Sequence, residues 1–330
     1  MADTQITYMG LKLKSPIIAG SCGLNRDVEA VKKLEEAGAG AIVMPSLFEE
    51  QIEKEIREFD EETALSSYPE ANEMLSFFQK RHVLDDYLKL IKALKAAVSI
   101  PVIASINCYR SGTWSDYARE ISEAGADALE INIFYLPSDP LVMEDTIRKE
   151  YLKIAREIAK VSTIPVSVKV SYYFENLAKS MRDLSYTGIK GLVLFNRFYS
   201  PDIDIEKMGM VSGDIFSSRS DIHMSLRWIG ILYDKIDCDL CSSTGVHDGI
   251  GVVKMLLAGA NAVQMVSSLY TEGVDAMKSS NDFLKQWMDN HNYKNIDEFR
   301  GKLSQKEIKD PAFYERAQFL KYFSGHKKTL

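Results

Sequence analysis

The chain has 330 residues, of which 46% are apolar, and a formal net charge of −7; this length fits two ordinary domains or one large α/β barrel. Lys and Arg are spread along the chain rather than clustered, which argues against a nucleic-acid or phospholipid partner. Four cysteines are too few for a disulfide framework, and the first ten residues lack a signal-peptide pattern. No window has about 18 uninterrupted apolar residues, the length that a membrane helix requires. We therefore expect a soluble, cytoplasmic protein.

Short apolar runs rich in β-branched residues alternate with amphipathic stretches along the chain. In those stretches apolar residues recur three and four positions apart, which indicates helices. Eight strand–helix units predict a single (β/α)₈ TIM barrel of the α/β class, with the barrel over about 14–290 of one domain, 1–330. The eight predicted strands cover 16–22, 41–46, 101–107, 128–134, 165–171, 191–197, 239–245 and 262–268.

Two segments are longer than the repeating unit requires. They are 47–83, after the second strand, and 198–218, after the sixth. Both follow strands, so both belong to the carboxyl-terminal face of the barrel, where long loops act as lids or binding loops. The polar segment 291–330 predicts a helical carboxyl-terminal extension without recognisable chemistry.

Small and hydroxylated residues end the last two strands. The sequences "SSTGVHDG" (242–249) and "VSSLYTEG" (266–273) both precede predicted helices. Free backbone amides at such positions bind phosphate in many barrels. Either stretch alone fits ordinary loop and N-cap usage, but the two together favour a phosphorylated ligand.

A lysine and three asparagines end the central strands. Lys169 lies in an apolar parallel strand, so its charge must reach the barrel mouth or be paired. It could form a Schiff base, donate to an electron-rich ring or balance a ligand's charge, and a structural ion pair is the alternative. The amides of Asn107, Asn132 and Asn196 suit the edges of an uncharged heterocycle.

The pair Cys238 and Cys241 has the spacing of a redox or zinc motif. It stands inside a predicted strand with no second pair of ligands nearby, so we expect no metal site.

Five segments of the chain together resemble the dihydroorotate dehydrogenase family. The resemblance covers about residues 6–290 and implies a (β/α)₈ enzyme that binds FMN on the carboxyl-terminal face. Its most specific part is the last segment. The five segments are "MGLKLKSPIIAGSCG", "EINI", "VSVKVSYYF", "LFNR" and "STGVHDGIGVVKMLLAGANAVQMVSSLYTEG".

The resemblance also implies roles for individual residues. Lys169 approaches the flavin ring, Asn132 and Asn196 bind ring or substrate amides, and Asn107 is a further cofactor candidate. The phosphate is implied to lie on Gly245, Val246, Ser267 and Ser268, and the isoalloxazine beside Ala19, Gly20 and Ser21.

The substrate half of the family pattern is altered. The family's Lys-Ser pair on strand two is replaced by Met44-Pro45-Ser46, which leaves Ser46 as a substrate-binding candidate. The family's substrate loop has only "ANEMLSFFQ" (71–79) as a faint counterpart, and the position of the family's catalytic Cys or Ser is Tyr135.

Tyr135 has two interpretations. As a phenol whose pKa is lowered by a nearby cation, it could move the substrate proton together with Lys169. Alternatively it only packs on the flavin or closes the pocket, which leaves proton transfer to water, to Cys108 or to no group at all.

The preferred function is therefore an FMN-dependent oxidoreductase that oxidises dihydroorotate to orotate in pyrimidine biosynthesis or acts on a related small CH–CH substrate. The alternatives are a barrel lyase or aldolase that uses Lys169 as a Schiff base on a phosphorylated substrate, and a flavin-binding protein without dihydroorotate turnover. The soluble relatives suggest dimerisation, and no membrane partner is expected.

Overall fold

Parallel strands close into a barrel in the computed structural model, which describes residues 2–48, 69–108, 114–143 and 145–316, without the side chains of 69–81 and of residue 108. The eight barrel strands are β3, β4, β6, β7, β8, β9, β12 and β13, and the pairing of β4 with β6 closes the ring. The predicted (β/α)₈ fold is confirmed. The strands are β1 Ile6–Tyr8, β2 Leu11–Leu13, β3 Ile17–Ala19, β4 Ala41–Val43, β5 Leu47–Phe48, β6 Val102–Cys108, β7 Ala128–Ile133, β8 Val166–Val170, β9 Gly191–Leu194, β10 Pro201–Asp204, β11 Gly209–Ser212, β12 Asp239–Ser242 and β13 Ala262–Met265.

Helices surround the barrel and begin at polar caps. Asp27 accepts a hydrogen bond from the Glu29 amide at the start of α1, and Asp248 accepts from Gly251 at the start of α7, which satisfies amides that have no intrahelical partner. In the part of the chain described, no helix combines the length and apolarity needed to cross a membrane. The helices are α1 Val28–Glu36, α2 Pro69–Ala97, α3 Trp114–Glu123, α4 Thr146–Val161, α5 Leu177–Ser185, α6 Ile222–Leu232, α7 Gly249–Ala258, α8 Ser267–Thr271, α9 Asp275–Asn290 and α10 Ala312–Glu315.

A hairpin closes the amino-terminal end of the barrel. Strands β1 and β2 pair antiparallel, and Tyr8, Met9 and Leu13 join the apolar cluster inside the barrel. The Met9 amide donates a 2.6 Å hydrogen bond to Asp239 at the start of β12. The base of the barrel is therefore plugged, and ligands must approach from the carboxyl-terminal face.

The two long segments and the tail differ in structure. After the second barrel strand the chain forms β5, residues 49–68 lie outside the described part, and α2 begins at Pro69. After the sixth barrel strand, β10 and β11 form an antiparallel hairpin. Residues 291–316 form mostly turns with two short helices, Ile296–Glu298 and α10, so this part of the predicted helical extension is largely not helical; residues 317–330 are outside the described part.

Candidate active site

Three predicted polar residues lie side by side at the carboxyl-terminal end of the barrel. Asn132 on β7 is in register with Lys169 on β8, and Asn196 follows β9. Nδ2 of Asn196 donates a 2.5 Å hydrogen bond to Oδ1 of Asn132. The structure thus brings together a cation and two amides, and we name Asn132, Lys169 and Asn196 the amide layer.

A buried polar network lies beneath the amide layer. Nζ of Lys169 donates to Oε1 of Gln264 at 2.9 Å, and Nε2 of Gln264 donates to Oε2 of Glu130 at 2.6 Å. The second oxygen of Glu130 is 3.7 Å from Nζ of Lys169. Glu130 is only 1% exposed and Lys169 only 8%, so the charge of the lysine is paired inside the barrel, which is the ion pair predicted as the alternative role of Lys169.

Glu130 and Gln264 were not among the residues predicted for the site. A signal was present, because each interrupts an apolar parallel strand as Lys169 does, and a buried polar side chain in such a strand needs a partner.

The predicted residues at the end of the first barrel strand, β3, lie beside the end of β13. The Gly20 amide donates to the Met265 carbonyl at 3.0 Å, and a Cβ on Gly20 would come within 2.7 Å of Val266. Ala19 and Gly20 are buried, and Ser21 is half-buried. No larger residue fits at Gly20, so the backbone here can approach a flat ligand closely.

The second and third barrel strands contribute hydroxyl and amide groups. Oγ of Ser46 lies 2.7 Å from Oγ of Ser105 inside the barrel, so Ser46 is held against β6. Asn107 is half-buried and in register with Asn132. The segment 71–79 lies in α2, and its side chains, like that of residue 108, are outside the described part.

Backbone amides without partners in the described structure lie where the sequence predicts a phosphate cradle. Thr244 and Gly245 have φ values of 72° and 79°, and a Cβ on Gly245 would lie 2.1 Å from the Ile222 nitrogen. Among the described residues, no group accepts a hydrogen bond from the amides of Gly245, Val246, Ser267 and Ser268. The Ser268 hydroxyl is buried and also lacks a partner in the described structure, as expected of groups that bind a ligand.

The segment 198–218, predicted as a lid or binding loop, reaches this cradle through Ser217, a residue that was not predicted. Both the amide and the hydroxyl of Ser217 donate to Oγ of Ser267 at 3.0 Å, and the Ser217 hydroxyl lies 3.0 Å from Nε2 of His247. Burial, followed by the nearby Arg219, lowers the pKa of His247. Arg219 itself pairs with Asp248. The loop has no motif that could have revealed this contact.

Aromatic rings form a layer above the amide layer. Phe134 and Phe198 follow Asn132 and Asn196 by two residues each, and their ring centroids are 4.3 Å apart. Tyr173 lies 4.6 Å and Tyr172 5.3 Å from the Phe198 ring. We call Phe134, Tyr172, Tyr173 and Phe198 the aromatic layer.

Tyr135 points to a different neighbour. Its ring packs edge-on against Tyr151 of α4, with centroids 5.7 Å apart, and the Tyr151 hydroxyl donates to the Ile133 carbonyl. Burial raises the pKa of Tyr151. The structure therefore places the Tyr135 ring on the helix side of the strand end, whereas Phe134 faces Phe198.

The cysteine pair is structural in character. Cys241 is buried and Cys238 half-buried, and burial raises the pKa of both thiols well above the ordinary value, which opposes thiolate chemistry. No group of three or more potential metal ligands occurs among the described residues.

Comparison with known proteins decides the family. The family model described as Dihydroorotate dehydrogenase matches residues 3–288. The chain belongs to this family. It is 25% identical over 299 residues to a putative dihydroorotate dehydrogenase A (fumarate) of Aeropyrum pernix, covering 87% of this chain and 92% of that protein.

Two further relatives cover most of the chain. The catalytic subunit of dihydroorotate dehydrogenase B (NAD(+)) of Thermoplasma volcanium is 23% identical over 91% of this chain and 98% of its own length. The chloroplastic dihydropyrimidine dehydrogenase (NADP(+)) of Arabidopsis thaliana is 21% identical over 91% of this chain and 76% of its own length.

Membership of the dihydroorotate dehydrogenase family makes this protein a flavin-dependent oxidoreductase that acts on CH–CH groups, with FMN as its cofactor. The residues present fit FMN, because partnerless amides and the buried Ser268 hydroxyl suit its phosphate. The side-chain-free backbone at Gly20 and the Lys169 ammonium suit its ring.

Proposed function

We propose that this protein oxidises or reduces a carbon–carbon bond next to a carbonyl in a small cyclic amide, dihydroorotate or a related compound. The observation that carries the proposal is the hydrogen-bonded pair Asn132 and Asn196 beside Lys169. Two carboxamides supply donors and acceptors for the edge of a cyclic amide. A role in pyrimidine biosynthesis is part of the proposal where dihydroorotate is the substrate.

Some residues of the site bind the cofactor in this proposal, and others bind the substrate. In this proposal Gly245, Val246, Ser267 and Ser268 hold the FMN phosphate through their amides. The Lys169 ammonium faces the electron-rich edge of the ring, and Ala19, Gly20, Ser21 and Asn107 contact the cofactor. Asn132, Asn196 and Ser46 orient the substrate. Bound FMN supplies a carrier for a hydride, so the chain's own residues need only position the substrate carbon and move a proton.

The proposed reaction also needs a group that takes up or donates the substrate proton. The edge-on contact of Tyr135 with Tyr151 supports packing rather than acid–base work for Tyr135, because a catalytic group must reach the proton that it moves. Water or the thiol of Cys108 then takes that role.

The Schiff-base lyase is the weaker alternative. A Schiff base needs a free neutral amine, whereas Lys169 is hydrogen-bonded to Gln264 and faces the Glu130 carboxylate. The family assignment also favours redox chemistry.

Assembly and location are proposals as well. We propose a homodimer, supported by the exposed apolar side chains of the β10–β11 hairpin, because large exposed apolar patches mark interaction sites. A cytoplasmic location stays a prediction from the small number of cysteines.

An anaerobic absorption spectrum of the purified protein tests the proposal. A flavin band that bleaches on addition of dihydroorotate or of dihydrouracil supports a dehydrogenase of cyclic amides. A flavin band that neither compound bleaches points to flavin binding without this turnover. A protein with no flavin band, even after incubation with FMN, contradicts the proposal.

A further inference from the structure

Side chains are stacked in layers along the inner side of β7, β8 and β9. Glu130 lies deepest, Asn132 and Lys169 form the amide layer with Asn196, and Phe134 and Phe198 lie one step nearer the mouth. Phe134 follows the end of β7 directly, and Phe198 lies four residues past the end of β9, so the aromatic layer comes after the amide layer along the chain and its rings meet beyond the strand ends.

The aromatic layer is continuous rather than a single ring. Phe198 contacts three other rings, those of Phe134, Tyr172 and Tyr173, at centroid distances of 4.3 to 5.3 Å. Burial raises the pKa of Tyr172, so its phenol stays neutral. The four rings carry no formal charge and pack on one another at tilted or edge-on angles of 44° to 82°, and such aromatic faces and edges favour a ring that packs against them.

Two cations that lie close to this wall along the chain, Lys169 and Arg197, already have partners. Lys169 is hydrogen-bonded to Gln264 and faces Glu130. Arg197 donates to the Ile215 carbonyl at 3.1 Å, to the Asp214 carbonyl and to Asp221 at 3.2 Å. A substrate carboxylate bound against the aromatic layer would therefore be desolvated without forming an ion pair with Lys169 or Arg197. The desolvation free energy of the carboxylate would then be uncompensated by these two residues.

We propose that the substrate is an uncharged flat ring, with an amide or imide edge and without a carboxylate. The edge pairs with Asn132 and Asn196, and the rest of the ring packs against Phe134 and Phe198. This inference rests on the proposed function and narrows it, because dihydroorotate carries a carboxylate on its ring. Phe134 and Phe198 become the residues that determine specificity.

Uracil and orotate make a matched pair of probes, since they differ by one carboxylate. Each is titrated into the FMN-loaded protein, and binding is measured from the perturbation of the flavin absorption band. We expect uracil to bind at least about tenfold more tightly than orotate, a difference of about 1.4 kcal/mol.

Substitutions at Phe198 test the aromatic layer itself. Phe198→Leu should weaken uracil binding about 2- to 10-fold, as expected for the loss of an aromatic contact, and change orotate binding little. Phe198→Arg should raise the affinity for orotate relative to uracil. Phe313→Leu, on the distant helix α10 where the ring is 54% exposed, is the matched control and should change neither affinity. If Phe198→Arg does not fold, Phe134→Leu replaces it and should weaken uracil binding alone.

The outcomes separate this inference from the proposed function. Orotate binding as tight as uracil binding, or failure of both to bind, overturns the uncharged-ring inference while a bound flavin keeps the oxidoreductase. Equal losses in Phe198→Leu and Phe313→Leu also overturn it. Absence of a flavin band overturns the proposed function instead.

Discussion

The Lys169 ammonium donates a 2.9 Å hydrogen bond to Oε1 of Gln264, and this contact fixes the orientation of the glutamine amide. With its oxygen turned to the lysine, Gln264 must present its nitrogen to Glu130, as the 2.6 Å contact shows. The three side chains therefore act as one unit that carries a balanced pair of charges inside the barrel.

Removing one charge of the Lys169–Glu130 pair should lower the free energy of unfolding more than removing both charges. Lys169→Met leaves Glu130 buried and uncompensated, so we expect the free energy of unfolding to fall by about 3–5 kcal/mol. The double variant Lys169→Met, Glu130→Gln should recover part of this loss. Urea unfolding of both single variants and the double variant measures the coupling. Additive losses would show that the two charges do not interact.

Gly245 should tolerate no side chain. Gly245→Ala combines a positive φ with a clash against the Ile222 backbone, and we expect a loss of about 3 kcal/mol in the free energy of unfolding. Retention of FMN should also be lost. Gly125→Ala is the matched control, because Gly125 has φ 97° but open space around it; this variant should lose about 1 kcal/mol and keep its flavin. Similar behaviour of the two variants would contradict the close-packed cradle.

Tyr135→Phe should retain substrate-dependent reduction of the flavin. The ring contact with Tyr151 is preserved in this variant, and only the hydroxyl is removed. Stopped-flow bleaching of the flavin band, with whichever cyclic amide reduces the native protein, measures the rate. A loss of about 100-fold or more would instead assign acid–base catalysis to the Tyr135 hydroxyl.

His247 should make the flavin-free protein less stable at acidic pH. The folded protein lowers the pKa of His247, so as pH falls through about 6.5 the unfolded chain takes up the proton first. Stability from this group is therefore complete above that pH and decreases below it. His247→Gln keeps a hydrogen-bonding partner for Ser217 and should show a smaller decrease between pH 7.5 and 5.5 in urea unfolding. Parallel pH profiles would exclude this contribution.

The β10–β11 hairpin should hold the proposed dimer. Ile203 and Met210 are directly opposite each other in the hairpin and are 62% and 69% exposed. Ile203→Lys should convert a dimer, with twice the chain mass of 37.2 kDa, into a monomer in light-scattering measurements. Asp202→Lys, an exposed change on the adjacent position, should leave the mass unchanged. A native protein of 37.2 kDa would contradict the dimer itself.

The barrel could be predicted because it depends on local patterns, and the prediction of a phosphate cradle rests on patterns of the same kind. Apolar runs alternate with helical periodicity, and the cradle is formed by backbone amides that small residues such as Gly245 and Ser268 leave accessible. Lys169 was found because a charge in an apolar strand is conspicuous. Glu130 interrupts its apolar strand in the same way and was not among the predicted site residues.

The aromatic layer could not be predicted in the same way. Phe134 and Phe198 are 64 positions apart, and each looks like ordinary loop hydrophobicity until the register of β7, β8 and β9 brings their rings together. Ser217 likewise reaches Ser267 only through the course of a long loop. Contacts of this kind depend on tertiary geometry, which residue spacing does not encode.

The hairpin that closes the base of the barrel provides a position for attaching the protein to a surface. Lys12 is exposed on β2, at the end of the barrel opposite the amide layer. Coupling to a sensor or electrode surface through a cysteine introduced at this position would hold the protein base-down and leave the cofactor face open to the solution. Ligand binding and electron transfer could then be recorded on immobilised molecules that share one orientation.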